Sequence, residues 1–395
     1  MEHDPPIRVA NFMDSRLDDL HRKGVLASAP GIYNPERAYS KVVHFSPYPS
    51  DISYAAPLAA GGIDLMCYDP RPRHPLRALR SIIGIVNRIR REKINIIRGR
   101  SPYAGSLIGC IIGRLLGIPS VVSLGGDNRI AQELNDRYLF NSRLISYRME
   151  WLVLRLCNRI IVPNRFTKSY VAGIIGSRAA EKCAVIPWIS EEAPASVIDV
   201  DTLRARLSLP PGRQIVPIIA FLNRYKFTNI LYEALAEPRD DLVFVFCGDG
   251  PLRSEGEARF ANRDDVRFIG WQDRAVVHSL IRAAPFVLVP MSGFVLLETA
   301  SAGKPVITTR VEWHSELVED GVSGFVVEPT DIMQWRRAIS AMHENRDRAL
   351  AMGRALHQRY EREYRPQRSR ALELALYEEL IQPKRRHTDD RVEAR

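Results

Sequence analysis

Short apolar runs alternate with helical periodicity along most of this chain, and the alternation occurs twice. In the first half the runs are "IRVANF", "KVVHFS", "IDLMCYD", "NIIRGR", "SVVSLG" and "RIIVPN"; in the second they are "QIVPIIAF", "LVFVFCG", "VRFIG", "FVLVP", "KPVITT" and "GFVVEP". Continuous apolar runs too short for helices predict strands buried on both faces, and the intervening helical patterns predict parallel sheets covered by helices on each side. The pattern therefore predicts two doubly wound α/β domains. A length of 395 residues agrees, since one core rarely grows that large. The expected boundaries are a first domain over 1–190, a Pro- and acid-interrupted linker over 191–213, a second domain over 214–355, a C-terminal helix over 356–382 packing back towards the first domain, and a disordered tail over 383–395.

Composition adds little to this picture, but the distribution of charge adds more. No window approaches the roughly 18 to 20 uninterrupted apolar residues that span a bilayer. "MEHDPPIRVANFMD" lacks the apolar segment of a signal peptide, so a cytoplasmic protein is expected. Cys67, Cys110, Cys157, Cys183 and Cys247 are scattered without metal-ligand spacing and read as core residues. The net charge of +10 is uneven: residues 1–190 hold 27 Lys and Arg against 15 Asp and Glu, and the remainder holds 29 against 31. The densest stretch, Arg71 to Lys93, is a basic amphipathic helix suited to an anionic membrane surface at the inner face of the plasma membrane, or to packing Leu76, Ile82, Ile85 and Ile89 into the core. It contains no aromatic residue, which argues against nucleic acid as a partner.

In doubly wound domains ligands meet the loops at the carboxyl ends of the strands. After "IVPIIAF" come Arg224 and Lys226 just before a helix, an arrangement suited to a diphosphate because cations and free helix N–H groups act on the same anion. "GDGPLR", with Gly250, is a Gly-rich strand-to-helix turn. After "FVLVP" a turn, Met291 to Gly293, leads into a helix with one carboxylate, Glu298. In the first half, Arg100 and Tyr103 open a helix at a strand end, where they suit an acceptor phosphate. "DVD" at 199–201 matches a metal-binding triplet of another fold, but Asp201 is more simply read as a helix N-cap, and no metal is expected.

"GFVLLETASAGKPVITT" followed by "ELVEDGVSGFVVEPTD", with "KFTNIL", "FCGDGPLR" and "VRFIGW" upstream in order, resembles the retaining GT-B glycosyltransferases of family 4, the glycosyl transferases group 1 domain. "SPYAGSLIGCIIGRLLGIPSVVSLGGD", "NRIIVPNRFTKSYV" and "AVIPWIS" are similar to segments of that family's acceptor domain. The resemblance implies a GT-B fold, two doubly wound Rossmann-like domains facing a cleft. It implies metal-independent transfer from a nucleotide-sugar, UDP- or GDP-linked, to a glycan or lipid-linked acceptor, by analogy in bacterial surface polysaccharide synthesis. Carried over by residue, Glu298 is the ribose-binding carboxylate, Gly293 and Phe294 present N–H groups to the donor, and Arg224 and Lys226 neutralise the leaving diphosphate. Gly250 and His314 fall on the same nucleotide-sugar side. Two positions depart from the family: Pro290 stands where a sugar-binding glutamate is expected, and Gly125 where a histidine commonly faces the sugar, with Asp127 near enough to supply a contact instead. These departures leave open a second account, a catalytically weak nucleotide-sugar-binding partner of another glycosyltransferase.

Overall fold

The computed structural model describes residues 6–22, 26, 33–69, 75–130, 142–188 and 197–382. The chain divides into two compact units, one of residues up to Ile186 together with those from Arg370 onward, the other from Pro187 to Ser369.

The first unit is built on a seven-stranded sheet: β1 (Arg8–Phe12), β2 (Lys41–Ser46), β3 (Ile63–Cys67), β4 (Ile96–Gly99), β5 (Ser120–Ser123), β6 (Arg159–Val162) and β7 (Cys183–Val185). Their order is β3-β2-β1-β4-β5-β6-β7, and every pairing is parallel. The strands read as near-continuous apolar runs because alternate residues serve opposite faces. Ala10, Phe12, Val43, Phe45 and Ile97 pack under Ile85, Ile89 and Ile112. Val9, Val42, Ile96 and Val121 pack on the other side with Leu17, Leu58 and Tyr377. The last strand, three residues long, is absent from the runs read off the sequence; its Ala184 and Val185 fall in "AVIPWIS".

The second unit has a six-stranded parallel sheet: β8 (Gln214–Ile219), β9 (Leu242–Cys247), β10 (Val266–Gly270), β11 (Val287–Val289), β12 (Val306–Thr309) and β13 (Phe325–Val327), in the order β10-β9-β8-β11-β12-β13. The two Rossmann-like units have the architecture expected from the alternation of runs and helices.

Four local readings change. The Val200–Arg206 helix is capped by Asp199, which accepts from the N–H groups of Asp201 and Thr202, so Asp201 is its first turn and not its cap. Leu203 and Leu209, in the segment read as linker, pack with Ile215 and Val243 of the second unit. The C-terminal helical stretch is two helices, Arg346–Glu363 and Pro366–Ile381, the second opening on a proline, which the first turn of a helix tolerates. The basic helix Pro75–Arg91 buries Ile85 and Ile89, but Leu76 and Ile82 are exposed, as are Leu79 and Ile83. Apolar residues occur on more of its circumference than the sheet covers. Residues 383–395, read as a tail, lie outside the described residues.

Candidate functional site

Each sheet has one point where the chain reverses its direction of growth. There, two adjacent strands send their outgoing loops to opposite faces, which opens a crevice at their carboxyl ends. In the second unit it falls between β8 and β11, which pair through Leu288 and Ile218. In the first it falls between β1 and β4. Candidate residues gather at both.

The loop leaving β8 forms a short 3-10 turn, Arg224–Lys226, because the Asn223 side chain accepts from the Lys226 N–H at 2.9 Å. The helix Thr228–Ala234 follows. Arg224 is exposed and Lys226 half-buried. Burial pushes the Lys226 ammonium below the ordinary lysine value, and the Glu312 carboxylate acts in the opposite direction. Glu312 is reached by the turn's own Tyr225, whose hydroxyl donates to Oε1 at 3.2 Å.

The loop leaving β11 enters the Gly293–Ser301 helix without a side-chain cap: Ser292 has the extended backbone of an N-cap residue, but its hydroxyl makes no cap bond. Its first N–H groups, those of Gly293 and Phe294, therefore stand at the positive end of the helix without a capping side chain. Glycine is required at 293 for space: a Cβ there would come within 2.2 Å of the Trp188 ring. Trp188 stacks on Phe294, with centroids 5.3 Å apart, and meets Trp313 edge-on at 5.6 Å. Further along this helix Glu298 is largely covered. Its Oε1 lies 3.9 Å from Arg274 Nη2 and 3.7 Å from His278 Nε2.

His314 is buried after β12. The Thr308 hydroxyl donates to Val289 O at 2.7 Å, so in the 2.8 Å contact between them His314 Nδ1 is the donor. Burial, with the nearby Lys226 charge, lowers its pKa to about 4, and the ring is neutral. Gly250 has a structural reason to be glycine, at φ +154 with a Cβ position 2.4 Å from Leu222 O. Its N–H is taken by Asp249 Oδ1 at 2.8 Å.

At the other switch point Asp14, after β1, takes the Gly105 N–H at 2.7 Å and the Ser101 hydroxyl at 2.9 Å. Burial raises its pKa, against the pull of those two hydrogen bonds. The start of the Ala104–Leu116 helix, where Arg100 and Tyr103 are expected to meet an acceptor phosphate, thus already carries a carboxylate of the chain itself. Arg100 Nε donates to Asn11 Oδ1 at 3.1 Å and its guanidinium lies over the Tyr33 ring. Asn11 Nδ2 also donates to Nδ1 of His44, whose pKa is pushed to about 3 by burial and Arg100. Asp127 is used locally, accepting from the N–H groups of Arg129 and Ile130.

The structure thus brings Lys226, Gly293, Phe294 and His314 into one connected region of the second unit, with Arg224 on its exposed rim and Glu298 on the same helix as Gly293. Reading the sequence missed Asp14, Asn11, His44, Trp188, Arg274 and Glu312. The four-residue spacing of Arg274 and His278 on the Arg274–Ala283 helix is the one local signal that pairs them.

Residues 41–188 match the model of Glycosyltransferase Family 4, and residues 199–359 match that of Glycosyl transferases group 1. The two together span most of the chain, which belongs to the family 4 glycosyltransferases of the GT-B fold. Among curated proteins, the D-inositol 3-phosphate glycosyltransferase of Corynebacterium jeikeium is 28% identical over 226 residues, 50% of this chain and 54% of that protein. The alpha-D-kanosaminyltransferase of Streptomyces kanamyceticus is 31% identical over 144 residues, 33% of this chain and 37% of that protein. The chain spans about half or less of the length of these relatives. Anabaena HepE in complex with UDP superposes with a TM-score of 0.74 at 16% identity, covering 94% of this chain and 99% of that one. The lipopolysaccharide outer core galactosyltransferase WaaB superposes at 0.65 and 13%, covering 94% and 100%. At these identities the likeness is one of fold.

Proposed function

We propose that this protein transfers a sugar, with retention and without a metal, from a nucleotide-sugar to a glycan or lipid-linked acceptor in bacterial surface polysaccharide synthesis. The observation that carries the donor half is the convergence at the β8–β11 switch point of a half-buried cation, Lys226, with a helix N-terminus that lacks a side-chain cap at Gly293. A diphosphate suits that pair, and a carboxylate such as Glu298 suits a ribose diol. Lys226 and the exposed Arg224 stabilise charge developing on the leaving nucleotide, so that the protein's contribution is electrostatic and positional. HepE was crystallised with UDP and with UDP-glucose, which supports a nucleotide-sugar as the donor class.

The acceptor half rests on the first unit. Three helices on one face of its sheet, Pro75–Arg91, Ala104–Leu116 and Arg143–Leu156, expose Leu76, Leu79, Ile83, Leu115, Trp151 and Leu152 among arginines such as Arg77, Arg80, Arg114, Arg148 and Arg155. Their one acidic residue, Glu150, is buried. A mixed apolar and cationic face of this kind suits the surface of an anionic membrane at its cytoplasmic side, where a lipid-linked acceptor would lie. Among the described residues no helix is long and apolar enough to cross a membrane.

Pro290 and Gly125 favour a second reading, a nucleotide-sugar-binding partner with little transfer activity of its own. Incubation with UDP-, GDP- and ADP-sugars separates the two. Release of nucleoside diphosphate from one of them supports the transferase, whereas binding without turnover of any supports the partner. A protein that neither binds nor turns over any donor refutes both.

A further inference from the structure

Glu312 is the one residue of the β12 exit loop held in the left-handed region, at φ +43, where a side chain other than glycine's is strained. Such strain persists only where the surroundings over-determine the backbone, and it gathers at functional sites. The surroundings here are specific. Before Glu312, the Thr309 hydroxyl is bonded to the carbonyl of Pro290 on the adjacent loop. After it, Trp313 is buried, edge-on to Trp188 and stacked on Tyr364. The loop is thus clamped on both sides, and the half-buried carboxylate between the clamps is directed to the Arg224–Lys226 turn by the Tyr225 hydroxyl. A carboxylate beside Lys226 opposes the binding of an anion there, a cost that a hydrogen bond from another part of the same ligand would offset. Pro290, at the end of β11, offers a ligand no side-chain hydrogen bond.

We infer that Glu312 holds the transferred sugar of the donor, accepting hydrogen bonds from its hydroxyls while Lys226 takes the diphosphate, and so supplies the contact that the side chain at 290 cannot make. This rests on the nucleotide-sugar reading of the site. If the carboxylate served only to balance Lys226, its removal would strengthen nucleotide and nucleotide-sugar binding alike.

The test is calorimetric, on the full chain, with UDP and UDP-glucose, UDP and UDP-N-acetylglucosamine, GDP and GDP-mannose, and ADP and ADP-glucose. For the pair that wild type binds, Glu312→Gln should lower the affinity for the nucleotide-sugar at least tenfold relative to the affinity for the parent nucleotide. Glu312→Gly should give the same loss and also raise the melting temperature of the ligand-free protein, because glycine adopts φ +43 without strain. An unchanged ratio in both variants overturns the assignment of Glu312 while leaving the nucleotide-sugar reading in place. Wild type that binds no nucleotide or nucleotide-sugar overturns that reading, and the assignment with it.

Discussion

Replacing Glu298 by alanine tests the ribose assignment with little risk to the fold. Its carboxylate sits 3.7 to 3.9 Å from His278 Nε2 and Arg274 Nη2, beyond hydrogen-bond distance, and the Arg274 side chain is 41% exposed. An ion pair of that kind is worth at most about 1 kcal/mol, and alanine suits a helix interior. Stability of the ligand-free protein should therefore change by no more than about 1 kcal/mol. The ligand-bound protein should lose far more. Hydrogen bonds to a charged group contribute about 1.5 to 3 kcal/mol each, so losing one or two from a ribose diol should cost about 1.5 to 6 kcal/mol, a factor of at least roughly 12 in Kd. Wild type at a nucleotide concentration of about 100 times Kd gains about 2.7 kcal/mol, a shift of several degrees in melting temperature that should fall by about half or more in the variant. The decisive comparison adds the 2′,3′-dideoxy nucleotide: wild type should prefer the ribose form, and Glu298→Ala should be indifferent. If both proteins prefer the ribose form by the same factor, Glu298 does not hold the ribose.

Acid should destabilise both units, because each buries a neutral histidine. His44 and His314 have pKa values pushed down to about 3 and about 4, while an unfolded imidazole takes its proton near 6.5. Their contribution is complete above about pH 6.5 and falls by about 1.4 kcal/mol per unit below it, so urea midpoints at pH 5 should reflect a loss of about 2 kcal/mol from each, and His314→Gln should remove the part belonging to the second unit. Glu373→Ala should destabilise the first unit by roughly 3 to 5 kcal/mol in chemical denaturation, because Arg98, 2% exposed and with its Nε 3.3 Å from Glu373, would keep a buried charge without its partner. Sedimentation with vesicles should show binding to phosphatidylglycerol but not to phosphatidylcholine, and Leu79→Asp with Ile83→Asp should abolish it; equal binding by the variant would refute the membrane face.

What could be read from the sequence was local. Apolar runs of strand length between helical patterns predicted twelve strands in two parallel sheets, because a strand buried on both faces is apolar throughout and these runs are too short for helices. The turns at Arg224 to Lys226 and Met291 to Gly293 were legible because caps, glycines and cations act within a few residues of themselves. Which turns meet was decided by sheet order. The turns carrying Lys226 and Gly293 leave adjacent strands because the chain places β11 against the free side of β8, and Asp14 reaches Gly105 across 91 residues because β4 does the same to β1. The exposure of Leu76 and Leu79 also depended on the fold, since the apolar face of an amphipathic helix does not specify how much of its length and width the sheet will cover. The same limit hid Glu312. In sequence it is one acidic residue in a loop, and only the folded chain shows that its backbone is held against its own preference beside Lys226.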